Sequence, residues 1–472
     1  MSTLGYVAAG SEGTAHAAAS ALQQGGTAAD AVVAGVLAAT VAEPVLASLG
    51  GGGFLMTRTA DGTEALVDCF VAMPGRGGRA HDAAGMESVE IDFGGTSQRF
   101  HVGAESVAVP GLWQGLRHIN ERFGRLSIHE LVRPARTLAE QGVVVDAAFA
   151  RVLALVWPIL CRTPEGSEMF GRDGAPLGLG DRFVSPALAA TLHAIEQDQW
   201  PGLLAAHLGG AVTDADLSTY AVIEREPLRV RVRDAMVLTN PAPSFGGPLV
   251  AHALGVTDTL IGSDRSAIAL ARAVVDALQA MSQHRSTLGP GVSKGTTHLS
   301  VTDAMGNAAA MTVSNGSGSG VFVGDSGIQL NNMLGEEDLH PGGLGLTAPG
   351  ERIGSMMSPM IIELADGSTV AAGSGGSERI RSALFQFVFD LVERGHGVAN
   401  AVSSPRMHWD GQALQVEHGV PHEILDDLRT RVPLNEWDGL DFYFGGVHAA
   451  QTSGAVAGDP RRGGVSLRVE AN

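Results

Sequence analysis

Thr296 stands where one residue could supply both a nucleophile and its base. It follows a Gly- and Pro-bearing stretch, Ser286 to Gly295, and opens the β-patterned run Thr-Thr-His-Leu-Ser-Val. If the Gly295–Thr296 bond were cut, Thr296 would carry a hydroxyl and a free α-amine together. An α-amine has a pKa of about 7.7–8.0, close to what a general base wants at neutral pH. Position alone does not decide, because β-branched residues open many strands.

Three other motifs invite chemistry and fail on context. Gly291-Val292-Ser293-Lys294-Gly295 satisfies Gly-x-Ser-x-Gly, but a nucleophile elbow needs a strand before the serine and a helix after it. Here a Gly-Pro loop precedes and a strand pattern follows. The Gly50–Gly53 run has neither the Gly-Lys-Ser/Thr of a phosphate loop nor dinucleotide-fold spacing, and reads as a tight turn. His129-Glu130 opens like a zinc-protease helix, yet Arg133 occupies the place of the second histidine. The 16 histidines show no other metal-ligand spacing. No metal and no cofactor is expected.

The elements that must position Thr296 follow from pattern. Ser11 caps a helix over about 13–24 that ends at Gly25-Gly26, and Thr27 caps an Ala- and Val-rich helix over 28–41. Phe54–Thr59 and Glu64–Asp68 flank an Asp61-Gly62 turn, a hairpin signal. Residues 75–105 show no clear periodicity. Helical pattern returns over 112–122, 128–141, 186–197 and 248–283, and Ser286–Gly295 is a loop by composition. Thr296–Thr302 and Ala308–Ser314 alternate as paired strands around Met305-Gly306-Asn307. A second hairpin spans Pro359–Leu364 and Ser368–Ala372, a helix covers 378–394, and strands are expected near 414–417, 441–445 and 464–469. Strand pairs set between runs of helices predict a layered α/β architecture, with sheets face to face and helices outside.

Composition bounds the rest. The 472 residues are 44% hydrophobic and 17% charged, ample for a core. With 64 glycines and only 5% aromatics, close backbone packing is favoured over a thick aromatic core. The excess of 50 acidic over 31 basic residues gives −19, which disfavours nucleic acid and anionic membranes as partners. Cys69 and Cys161 alone rule out a disulfide framework or a thiolate-rich metal site. The first residues lack a secretory n- and h-region, and no run is long and apolar enough to span a membrane. The expectation is a soluble, cytoplasmic protein acting on a small molecule.

A series of motifs, taken in order, resembles the γ-glutamyltransferase family. Residues 28–54 carry Ala-Asp-Ala-Val-Val-Ala, Glu43-Pro44 and Gly-Gly-Gly-Gly-Phe. Val109-Pro110-Gly111, Arg133-Pro134-Ala135, Thr213-Asp214-Ala215-Asp216-Leu217 and Asn240-Pro241-Ala242-Pro243-Ser244-Phe245-Gly246-Gly247 follow. Beyond the loop come Thr296-Thr297-His298, Gly306-Asn307, Leu330-Asn331-Asn332, Ser358-Pro359, Pro405-Arg406 and Gly458-Asp459-Pro460-Arg461-Arg462-Gly463. The resemblance implies an αββα N-terminal-nucleophile (Ntn) hydrolase sandwich, one body formed by two autoproteolytic subunits that stay associated, residues 1–295 and 296–472. It implies that Thr296 is the nucleophile and Ser314 the hydroxyl supporting it, where a threonine is commoner in the family. It further implies that Gly375-Gly376 stabilise the oxyanion.

The departures from that pattern bear on substrate. Where the family has an arginine for the substrate's α-carboxylate, this chain has Phe70, within Asp68-Cys69-Phe70-Val71-Ala72-Met73-Pro74. Met333 replaces a polar group after Asn331-Asn332, and Glu336 or Glu337 is left to meet an ammonium. Ser355-Met356 keeps one hydroxyl of a paired-serine motif, and Asn315 retains an amide. Arg76 and Arg79 lie nearby in sequence and read as surface residues. The leading expectation is a Thr-nucleophile hydrolase or acyltransferase of glutathione-hydrolase type with altered acyl-donor specificity. Two alternatives are a C–C bond hydrolase acting on an intermediate, such as a proline-derived one, of actinomycete natural-product (antibiotic) biosynthesis, and a non-processed binding protein.

Overall fold

The computed structural model describes residues 2–471 except 80, 93–96, 209, 287–294, 337–338, 341–342 and 344–346. After β1 (Thr3–Ala9), Ser11 starts α1 (Glu12–Gln23) by accepting from the Thr14 N–H. Thr27 starts α2 (Ala28–Ala42), and Asp30 returns the bond to close a capping box. Every residue of α2 is buried. Its small side chains allow that: a Cβ on Gly35 would lie 2.4 Å from Cδ2 of Leu299 in the strand below.

Two sheets form the centre. The first takes β1, β2 (Gly52–Arg58), β3 (Glu64–Cys69) and β4 (Ile223–Arg225) from the chain before residue 295. The second draws β5 (Leu228–Val232) and β6 (Ala235–Thr239) from the same part. Past it, β7 (Thr296–Asp303), β8 (Ala308–Ser314) and the final β13 (Val465–Glu470) enter the first sheet, in the order β4-β3-β2-β8-β7-β1-β13. β9 (Met360–Glu363), β10 (Thr369–Gly375), β11 (Gly446–Gln451) and β12 (Val456–Ala457) complete the second, in the order β5-β6-β9-β10-β11-β12. The sheets face one another through β7 and β8 against β10 and β11. Helices α1 and α2 cover the outside of the first. Helices α6 (Gly246–Leu260), α7 (Ala267–Ser286) and α8 (Arg379–Val392) gather on the second, while α3 (Leu112–Phe123), α4 (Ile128–Gln141) and α5 (Ala147–Leu160) lie on the α2 side. This is the αββα sandwich expected from the resemblance.

Several local expectations are corrected. The helical pattern over 248–283 is two helices, α6 and α7, parted where Asp264 accepts from the Ser266 N–H. Residues 75–105 hold a strand pair, Glu87–Asp92 with Ser97–Val102. The strand expected at 441–445 is a 3₁₀ turn, Phe442–Phe444, started by the Asp441 carboxylate accepting from the Tyr443 N–H; pairing begins at Gly446. The Gly-Pro loop falls mostly outside the described residues, Ser293 and Lys294 included. Glu130, of the zinc-like dipeptide, closes a capping box with Ser127. Cys69 is buried, Cys161 exposed, and both are free thiols. Among the described residues no helix is long and apolar enough to cross a membrane.

The Gly50–Gly53 run owes its composition to close approach rather than to a phosphate. A Cβ on Gly51 would sit 2.4 Å from the Ser314 carbonyl oxygen, and one on Gly53 2.6 Å from that of Thr312. Gly51→Ala should therefore destabilise by about 1–3 kcal/mol through overpacking against backbone. Gly255→Ala, in α6 with open space around it, should be neutral or up to about 1 kcal/mol more stable. Thermal unfolding of the two variants beside the parent checks the contrast; equal midpoints for Gly51→Ala and the parent would remove the constraint.

Candidate active site

Thr296 is the first residue of β7 and only 3% exposed. Strand register sets it opposite Ser314, the last residue of β8, which in turn faces Gly52 of β2. Thr296 Oγ1 donates to Ser314 Oγ at 3.4 Å. Ser314 Oγ donates to the Gly295 carbonyl oxygen and accepts from the Gly316 N–H at 3.1 Å. Two hydroxyls and the carbonyl just before Thr296 thus form one buried hydrogen-bonded chain. Such a chain can carry a proton from the first hydroxyl toward the carbonyl oxygen.

The second sheet closes the site from the other side. Gly375 ends β10, and a Cβ there would lie 2.3 Å from the Thr296 carbonyl oxygen. Gly376 follows with φ +128°, a conformation that favours glycine. Next to Thr296, Glu43 accepts from Thr297 Oγ1 at 2.5 Å and from Thr14 Oγ1 at 2.6 Å. Burial raises the Glu43 carboxyl above its usual pKa, and those hydroxyls pull the other way. His298 bonds Thr312 Oγ1 and Ser300 Oγ, both at 2.8 Å, and its ring stacks over that of His448. Burial pushes His298 well below the usual histidine range and His448 to about 4, so both are neutral at pH 7.

The residues expected to meet substrate fall on two sides of this centre. Next to Ser314, Asn315 is fully buried; its amide nitrogen reaches Gln329 and the Leu330 carbonyl, while Oδ1 meets no donor among the described residues. Glu336 Oε1 accepts from the Ser317 N–H at 3.1 Å, which brings this carboxylate to the turn after Ser314. Glu337 lies outside the described residues. Met333, Met356 and Phe70 are all buried in the apolar layer around the second sheet. Phe70 stacks on Phe54 with ring centroids 5.4 Å apart. Ser355 Oγ accepts from the Met357 N–H, so it braces its own loop. Arg79 pairs with Glu105, and Arg76 donates to the Thr219 carbonyl.

A cavity partly open to solvent lies on Thr296, Thr297, His298 and Gly375. Its apolar wall includes Val45, Leu46, Ala148, Phe149, Val152 and Phe442, and Arg462 adds a cation. Sequence reading assigned none of these a role. Phe149 and Val152 project from α5, whose start is signalled by the N-cap Asp146. Arg462 sits in the quoted Gly-Asp-Pro-Arg-Arg-Gly motif, which carried the resemblance without a role for either arginine.

Comparison with known proteins is consistent along the chain. The gamma-glutamyltranspeptidase family model matches residues 14–290 and 288–469. The Acylase ACY 1 proenzyme of Pseudomonas sp. (strain V22) is 31% identical over 481 residues, covering 88% of this chain and 84% of that protein. The glutathione hydrolase proenzyme of Escherichia coli (strain K12) is 28% identical over 484 residues, covering 87% and 82%. In fold, cephalosporin acylase from Bacillus halodurans superposes with a TM-score of 0.82 at 22% identity, across 100% of this chain and 96% of that one. The strand that begins at Thr296 and the segment bearing Arg462 fall within the matched span, and the chain belongs to the gamma-glutamyltranspeptidase family of hydrolases and acyltransferases.

Proposed function

We propose that this chain cleaves itself between Gly295 and Thr296 and then works as an N-terminal-threonine hydrolase or acyltransferase. The observation that carries the reading is the buried chain from Thr296 Oγ1 through Ser314 Oγ to the Gly295 carbonyl oxygen. Ser314 draws electron density from the carbonyl carbon that Thr296 Oγ1 attacks. The Thr296 proton passes toward Ser314 as the carbonyl oxygen gains one. The C–N bond then breaks as the carbonyl re-forms, the proton on its oxygen returns through Ser314 to the leaving nitrogen, and an ester links Gly295 to the threonine oxygen. Water hydrolyses that ester and leaves Thr296 with a free α-amine. In the mature site this amine is the base, the hydroxyl attacks a substrate acyl carbon, and the backbone at Gly375-Gly376 receives the developing oxyanion. Water or an amine then resolves the acyl-enzyme.

The acyl donor differs from a plain γ-glutamyl group. Phe70 stands in place of the family arginine, and Met333 and Met356 replace polar contacts, all within an apolar layer. Losing one charge-assisted interaction with a carboxylate removes about 1.5–3 kcal/mol, or roughly ten- to a hundredfold in rate. A γ-glutamyl anilide should turn over at least that much more slowly than with a family member carrying arginine there. Equal kcat/KM values would overturn the altered specificity.

On a denaturing gel the purified protein should run as two pieces, the smaller beginning Thr-Thr-His-Leu-Ser-Val. Thr296→Ala should give one inactive full-length chain; an active, uncut enzyme would sink the assignment. Ser314→Ala should slow cleavage on the order of 10²-fold, the usual effect of deleting one donor to a reacting carbonyl. A time course of band conversion measures it, and an unchanged rate would return Ser314 to an ordinary strand residue.

A further inference from the structure

Arg462 is a buried cation with donors to spare at the edge of the Thr296 cavity. It is 8% exposed, and its Nε and Nη1 meet no hydrogen-bond acceptor among the described residues. A buried charged donor left unpaired is costly, so its surroundings should either pair it or await a ligand. The nearby carboxylates are already committed. Asp459 accepts from Arg406, Arg461 and the Val447 N–H. Glu417 accepts from Arg461 and from the Arg406 and Asp441 N–H groups. Within the cavity, Glu43 is held by Thr14 and Thr297, and Asp146 accepts from the Phe149 N–H.

What Arg462 does have is support and aim. Its guanidinium carbon lies 3.7 Å from the centroid of the Phe442 ring. A Cβ on Gly446 would fall 2.3 Å from its Cδ, so the stem passes where only a glycine leaves room. Nη1 lies 3.4 Å from the Cβ position of Gly375, the same point that is 2.3 Å from the Thr296 carbonyl oxygen; Nη2 lies 3.2 Å from that of Gly376. Burial and the charge of Arg379 push its pKa down to about 9, which still leaves it cationic at neutral pH. Val45, Leu46, Phe149 and Val152 make the facing wall apolar.

We infer that Arg462 binds a substrate carboxylate, and that the cavity takes a carboxylate-bearing ligand whose apolar or aromatic body lies against Phe149, Val152 and Leu46. The inference rests on the reading of Thr296 as nucleophile, which makes this cavity the substrate's. It moves carboxylate recognition away from the place now held by Phe70. A planar guanidinium backed by a ring and open along its donors suits a two-oxygen anion.

The test is calorimetric titration of the purified protein, whether or not it has cleaved, with 4-phenylbutyrate, and with 4-phenylbutanamide as its uncharged match. The parent should bind the carboxylate with one-to-one stoichiometry and at least tenfold more tightly than the amide. Arg462→Met should abolish that preference, and Arg462→Lys should keep part of it. If Arg462→Met does not accumulate as folded protein, Arg462→Gln takes its place in the same comparison. No saturable binding by the parent, or an unchanged preference in the variant, overturns the inference. Titration needs no turnover, so the two readings fail separately. Cleavage without carboxylate preference faults Arg462, whereas preference without cleavage faults Thr296.

Discussion

The antiparallel register of β7 on β8 is the constraint on which the site depends. Side chains alternate along a strand, so a slip of one residue would turn Ser314 to the opposite face from Thr296. The register is held from both sides. Gly51 and Gly53 let the neighbouring strand approach Ser314 and Thr312 without side chains between, and α2 lies flat across Leu299 through Gly35. Glu43, just past the end of α2, then ties Thr297 and Thr14 together. The abundance of glycine and alanine is thus geometric in purpose. It brings backbones close enough that two hydroxyls and a carbonyl meet in a dry interior, where a hydrogen-bonded chain is strongest.

A second constraint is ionic. Asp459, Glu417, Arg406 and Arg461 form a buried cluster in which each charge has several partners, and the two carboxylates also take backbone N–H donors. Taking one member from such a cluster leaves a buried charge uncompensated, typically at about 3–5 kcal/mol. The cluster joins the loop before β11 to the segment before β13. It thereby fixes the backbone from which Arg462 reaches across Phe442 toward Gly375. Attraction in the cluster holds a cation that the cluster itself does not pair.

Much of this was legible from local pattern. Ser11 and Thr27 announce their helices by capping chemistry, and the hairpins about Asp61-Gly62 and Met305-Gly306-Asn307 announce themselves by alternation and turn residues. The pairing of Thr296 with Ser314 follows from the second of these hairpins. What escaped was decided in one place by a local cap and elsewhere by distant packing. The stretch at 441–445 looks like a strand, yet the Asp441 carboxylate bends it into a turn. The Arg462 side chain was given no role because nothing near it in sequence reveals that Phe442 and Gly446 receive it. The wall from α5 was missed for the same reason: Phe149 and Val152 come to line the Thr296 cavity only after the chain has folded.

Chain order through the first sheet has a consequence for a cut protein. Its strands alternate by origin: three precede residue 295, then β8 and β7 follow it, then β1 precedes, then β13 follows. Cleavage would leave each piece with strands whose partners lie on the other, so neither owns a complete sheet. The covalent path from α7 to β7, which kept the pieces at high effective concentration during folding, would be gone. Once unfolded, the two chains would have to find one another in solution and interleave. Such a protein would keep its native form by the height of the barrier to unfolding rather than by an equilibrium it can revisit, and the proposed cleavage would trade refoldability for a free amine.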